Sequence, residues 1–275
     1  MRSAIILVLL ATLCGCATTS LPPVTSKDFV FEEDEKRLWN RSEEEEQAIA
    51  RSGMLYQDRE LEAYLNTVAR KLEPPEVYQR IPFRILVLNN PYCNAFAMPN
   101  GYVYVHTGIL ARMDNEAQLA TLLAHEMTHA THRHQLREFH GKLNKSLVFA
   151  STRSLIGELP ALGELSRVLG AISTKAAING HSRELETEAD MVGIGLVVKA
   201  GYDPTESPKL FQHLKTEMEE EGLDEPFFFG THPRLKERME NYNDFLEQLG
   251  KQTGGVTNGE TFRKKVAAAI IDNAF

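Results

Sequence analysis

His125-Glu126-Met127-Thr128-His129 lies inside the run from Asn115 to His134, Asn-Glu-Ala-Gln-Leu-Ala-Thr-Leu-Leu-Ala-His-Glu-Met-Thr-His-Ala-Thr-His-Arg-His. Leu119, Leu122, Leu123 and Met127 recur at helical spacing, Asp114 or Asn115 can cap the start, and Gly141 can end it. The run therefore reads as a helix. Residues four apart on a helix lie one turn above each other, so the imidazoles of His125 and His129 can close on a single metal ion. Glu126 then points beside that ion. This is the H-E-x-x-H arrangement, in which two histidines bind zinc and the glutamate takes a proton from the water held there.

Upstream, Met1-Arg2 and the apolar stretch from Ala4 to Leu13 read as a signal segment over residues 1–15, too short to span a bilayer as a helix. Leu13-Cys14-Gly15-Cys16 resembles a bacterial lipobox, which makes Cys16 the expected lipidation site and residues 16–26 a tether. A plain secretory signal or a retained anchor is the alternative. If Cys16 is lipidated, Cys93 has no cysteine partner, and stability must come from a core and a metal. A composition of 43% hydrophobic and 25% charged residues is that of an ordinary globular domain, placed here at 27–248. The formal charge of −8 argues against nucleic acid and against electrostatic attraction to anionic lipid.

Residues 27–73 are acidic with a helical pattern, and the run Glu43 to Glu46 reads as a solvated helix face. Leu61, Tyr64, Leu65, Val68 and Leu72 share one face, which should pack on the core until Pro74-Pro75 stops the helix. Phe83 to Leu88 reads as a buried strand, and the segments Asn94 to Met98 and Tyr102 to Val105 flank a Pro99-Asn100-Gly101 hairpin signal. An exposed edge there could lay an extended peptide over the metal, which makes Tyr102, Val103 and Tyr104 candidate substrate contacts; the alternative is scaffold alone. Cys93 reads as a packed residue.

Beyond the zinc helix, residues 142–180 are apolar with scattered charges and broken by Gly157, Pro160, Gly163 and Gly170. They read either as a mobile cover or as ordinary helical packing. A catalytic zinc takes three protein ligands, so one is still needed. The position six residues past His129 is Gln135, and His134 would point off the ligand face of a continuous helix. A carboxylate on a later helix remains. Glu186 and Asp190 stand four apart on one helix face, so one can bind zinc while the other holds the spare ring N–H of a zinc histidine. Residues 249–275 read as a linker and a short last helix around 262–269.

H-E-x-x-H followed by Glu186-Thr-Glu-Ala-Asp190 resembles the zinc metallopeptidase family that includes HtpX, BepA and the CAAX prenyl protease. Asn94 to Val105, Arg133-His134, His232-Pro233 and Arg238 carry the resemblance further. It implies an α+β, mainly α, gluzincin-type domain with a small antiparallel-containing sheet beside the zinc helix. It also implies Glu186 as third ligand, Asp190 as supporting acid, and Arg238 as a residue lining the site. His232, given an extended backbone by Pro233, is then a candidate oxyanion donor or a gate on the metal. The lipobox makes the chain similar to the periplasmic branch, which acts on unfolded or damaged envelope proteins. The expected activity is that of a lipid-anchored zinc endopeptidase at the outer membrane's periplasmic face; the alternative is a chaperone or assembly factor for outer-membrane proteins with a largely latent site.

Overall fold

A computed structural model describes residues 21–141, 181–221, 235–250 and 254–273. The expected signal segment, Cys16, the stretch 142–180 and His232 lie outside the described residues. The described elements are α1 (Glu33–Arg51), α2 (Arg59–Leu72), α3 (Pro75–Arg80), β1 (Arg84–Leu88), β2 (Ala95–Ala97), β3 (Tyr102–His106), α4 (Thr107–Ala111), α5 (Glu116–Thr131), α6 (Arg183–Lys199), α7 (Glu206–Glu221), α8 (Leu235–Gln248) and α9 (Gly259–Asn273). The domain is mainly helical with one small mixed sheet, as the motifs implied.

The H-E-x-x-H helix, α5, is the centre of the molecule, and all of its residues are buried. Asn115 caps it by accepting from the Gln118 amide at 3.0 Å. A helix covered all round needs partners on every side. Here α2, α6, α7 and the sheet supply them. From α2, Leu61, Leu65, Val68, Ala69 and Leu72 enter the same core, after Asp58 caps the helix start. Pro75 opens the short α3, where its missing N–H costs nothing.

The sheet order is β1-β3-β2, with β1 parallel and β2 antiparallel to β3. Gly101, at φ +91°, makes the hairpin turn; a Cβ there would stand 2.4 Å from Ile81 Cγ2. Alternation sends Val103 and Val105 into the main core, while Tyr102 and Tyr104 pack with Phe96, Leu86 and Ile49 of α1 on the other face.

This arrangement corrects the expectation for Tyr102, Val103 and Tyr104. β3 is the middle strand, so neighbours on both sides occupy its backbone. The side chains of Tyr102 and Tyr104 face away from the α5 core. The sheet's edges are β1 and β2; on β2, Ala95 is buried and the Ala97 carbonyl accepts from Gln135 Nε2 at 3.1 Å.

The C-terminal part closes on the same core. Tyr202 and Val256 form a bridge, the Glu116 amide donates to the Thr257 carbonyl at 2.9 Å, and α9 buries Phe262, Val266 and Ala269. The last helix is thus longer than residues 262–269. Among the described residues, no helix is long and apolar enough to cross a membrane.

Candidate metal centre

Two successive turns of α5 and the first turn of α6 meet at one point. His125 Nε2 lies 3.0 Å from His129 Nε2, and Glu186 places its carboxylate oxygens 3.4 Å from the first and 3.7 Å from the second. The three side chains are buried. Two imidazole nitrogens facing each other at this distance either share a proton or bind one ion between them. A tetrahedral zinc with bonds of about 2.0–2.1 Å sets its ligand atoms roughly 3.3 Å apart, which these separations bracket. Two imidazoles and one carboxylate also suit that ion chemically. The residues present fit zinc.

The close approach of α6 to α5 has a specific cause. Gly193 presses its backbone on His125; a Cβ there would stand 3.2 Å from the His125 nitrogen. That contact brings Glu186 and Asp190, one turn apart, under the two histidines. Asp190 Oδ1 is 2.9 Å from His125 Nδ1. With His125 Nε2 turned to the metal position, Nδ1 carries the proton and donates it to Asp190.

Asp190 is itself held from α8. Arg238 Nη2 donates to Oδ1 at 2.7 Å, Arg238 Nε reaches both oxygens at 3.1 and 3.2 Å, and the Tyr242 hydroxyl donates at 3.0 Å. Burial pushes the Asp190 carboxyl up, but Arg238 and His125 outweigh it and hold the group below the ordinary carboxylate range. Burial and Arg238 oppose charge on His125, yet Asp190 and Glu186 prevail and raise its pKa to about 9. Burial, reinforced by His181, pushes His129 the other way, well below the usual imidazole value.

The resemblance implied Arg238 as a residue lining the site. Its buried guanidinium binds Asp190, places Nη2 2.9 Å from His125 Nδ1, and sets its Cζ 4.4 Å from the centre of the Phe211 ring. It meets the centre both through Asp190 and directly at His125. Glu126 is buried on α5 between the two histidines, one residue after His125.

Four groups near the centre were not assigned roles from the sequence: Tyr242, His134, His181 and Glu188. Tyr242 follows Arg238 by four residues, so helical spacing could have set it beside the arginine that the resemblance named. His134 was discounted because a continuous helix would turn it away. The helix is not continuous: Arg133 takes φ +58°, and helix resumes over 134–141. That left-handed turn brings His134 Nδ1 to 2.8 Å from His129 Nδ1. Arg133 is fixed there by Glu35, through bonds of 3.1 and 2.7 Å, and by the Val30 carbonyl at 3.1 Å. His181 stacks on His129 with ring centres 4.1 Å apart.

Comparison with known proteins places the centre within a known domain family. The profile of Peptidase family M48 matches residues 56–245. Mitochondrial metalloendopeptidase OMA1 of Arabidopsis thaliana is 32% identical over 158 residues, covering 58% of this chain and 30% of the relative. The putative beta-barrel assembly-enhancing protease of Vibrio cholerae is 29% identical over 194 residues, covering 68% of this chain and 40% of the relative. The beta-barrel assembly-enhancing protease of Escherichia coli is 27% identical over 202 residues, with 72% and 41% covered. The chain therefore spans less than half the length of these relatives. Family and names together support a metalloendopeptidase. Because the matched span takes in more than half of the chain and every residue of the centre, the protein belongs to peptidase family M48.

Proposed function

We propose that this protein is a zinc-dependent endopeptidase that cuts unfolded or misassembled polypeptides at a bacterial envelope membrane. The observation that carries the chemistry is the convergence of His125, His129 and Glu186, whose ligand atoms all lie within 4.8 Å of one another. Zinc bound there supplies Lewis acidity and lowers the pKa of a water toward neutrality. Glu126 takes the proton of the attacking water and delivers it to the leaving amine. Asp190 keeps His125 in the tautomer that leaves Nε2 free, and Arg238 with Tyr242 keeps Asp190 ionised and in place. His232 is assigned either to the oxyanion or to gating: His232→Ala lowers turnover in the first case and raises it in the second.

The envelope setting rests on the lipobox-like Leu13-Cys14-Gly15-Cys16. Two relatives carry names that speak of β-barrel assembly, which supports unassembled outer-membrane proteins as substrates. Lipid on Cys16 would then hold the domain near them, and Cys16→Ser should move the protein from the membrane to the soluble fraction.

The testing experiment compares wild type with Glu126→Gln on unfolded casein, reading product ends by mass spectrometry. Internal cleavage is expected for wild type. In Glu126→Gln, zinc content should be kept while cleavage falls by at least about a hundredfold. Full cleavage by a zinc-loaded Glu126→Gln protein would contradict the mechanism. Cellular rescue by that variant would favour the assembly-factor reading.

A further inference from the structure

His125 has a partner behind it in Asp190, and the second histidine of the pair needs one too. His129 turns Nε2 toward His125 and Glu186, and its Nδ1 lies 2.8 Å from Nδ1 of His134. Two ring nitrogens at that distance share one proton: one donates and the other accepts. A neutral imidazole that binds a metal through Nε2 carries its proton on Nδ1. His129 is then the donor, and His134 must present a bare Nδ1. Its own proton is consequently on Nε2.

The surroundings of His134 agree with that tautomer. Its side chain is fully buried, and the Nε2 atom lies 3.7 Å from Glu188 Oε2. Arg137 Nη1 holds the same oxygen at 2.7 Å. A negative oxygen on that side favours the N–H at Nε2 and disfavours a lone pair there. Glu186, Glu188 and Asp190 thus come from three alternate positions of α6, and each meets the histidine pair differently. Glu186 faces the metal position, Asp190 backs His125 directly, and Glu188 backs His129 through His134.

We propose that His134 is a positioning residue for the metal centre: it accepts the His129 ring N–H, and Glu188 fixes it in the tautomer that can accept. The left-handed turn at Arg133 is what makes this possible, because it returns the ring five residues on to the ring it supports. The inference rests on the metallopeptidase reading and adds to it residues outside the ligand set.

The experiment uses the full chain and measures the zinc dissociation constant by competition with a chromophoric chelator. His134→Leu, which cannot accept, should weaken zinc binding about 10- to 100-fold. His134→Gln can accept through its amide oxygen and donate toward Glu188, and should stay within roughly threefold of wild type. With cobalt in place of zinc, the visible spectrum should change in His134→Leu and be restored in His134→Gln. Melting of the metal-free proteins separates a general loss of structure from this effect. Should His134→Leu not fold, Glu188→Gln replaces it, since the Glu188 side chain is 32% exposed; it should weaken zinc by about threefold or more. Unchanged affinity and spectrum in the folded variant would overturn the proposal. A wild-type chain that binds no zinc would remove the peptidase reading along with it, an outcome distinct from wild-type binding that the variants leave unaltered.

Discussion

Asp190 is a buried anion paired with the Arg238 guanidinium and held by His125, with Tyr242 adding a further hydrogen bond. Removing one partner of such a pair strands the other charge away from water, at a cost of about 3–5 kcal/mol. Arg238→Ala should therefore destabilise the fold by about that much in urea denaturation, and Asp190→Asn comparably, because it strands the buried Arg238 guanidinium. Equal, small effects of both would mean that the pair is solvated. The residues of this network differed in how far the sequence exposed them. Glu186 and Asp190 could be paired by their spacing of four, since helical geometry acts within one element. His134 could not, because a single left-handed residue, Arg133, reverses the direction that helical counting assigns, and contacts from distant Pro22, Val30 and Glu35 hold that residue there.

At the scale of elements, the packing of α6 on α5 depends on which glycine faces inward. Gly193 meets the His125 backbone, whereas a Cβ on Gly195 would meet nothing within 4 Å. Alanine stabilises a helix interior over glycine by about 0.8–1 kcal/mol. Gly195→Ala should therefore raise the melting temperature by roughly 2–4 °C. Gly193→Ala has the same helical gain but pushes α6 away from His125, so it should weaken zinc binding and lose the thermal benefit. Equal behaviour of the two variants would contradict the packing account. The strands show why local pattern stops short here: alternation correctly found the strands, but strand order depends on pairing between segments. β3 lies between β1 and β2, so the residues taken as an edge are interior.

For the whole molecule, the buried termini of helices tie stability to pH. Glu73 follows α2 and is 5% exposed; burial raises its pKa from 4.5 to about 7, against the pull of Lys199. Its folded pKa lies above its unfolded one, so the protonated fold carries no penalty below about pH 4.5, and stability is lost as pH rises through about 7. The loss is on the order of 3 kcal/mol at most. Glu73→Gln should raise the melting temperature by roughly 6 °C at pH 8 and leave it unchanged at pH 4. A shift of equal size at both pH values would contradict this origin. The general plan, helices around a buried H-E-x-x-H helix with a small sheet, was readable from periodicity and motif. The docking of α9 was not, because Glu116, Tyr202 and Asn258 meet only in the folded chain.

The central claim is one zinc held by His125, His129 and Glu186. Zinc content with X-ray absorption at the zinc edge, on wild type and Glu186→Ala, tests it most directly. The account predicts one zinc per wild-type chain, with a shell of two imidazole nitrogens and carboxylate or water oxygens, and loss or marked weakening of that zinc in Glu186→Ala. A wild-type chain without zinc, or a Glu186→Ala protein with unchanged content and shell, would contradict it.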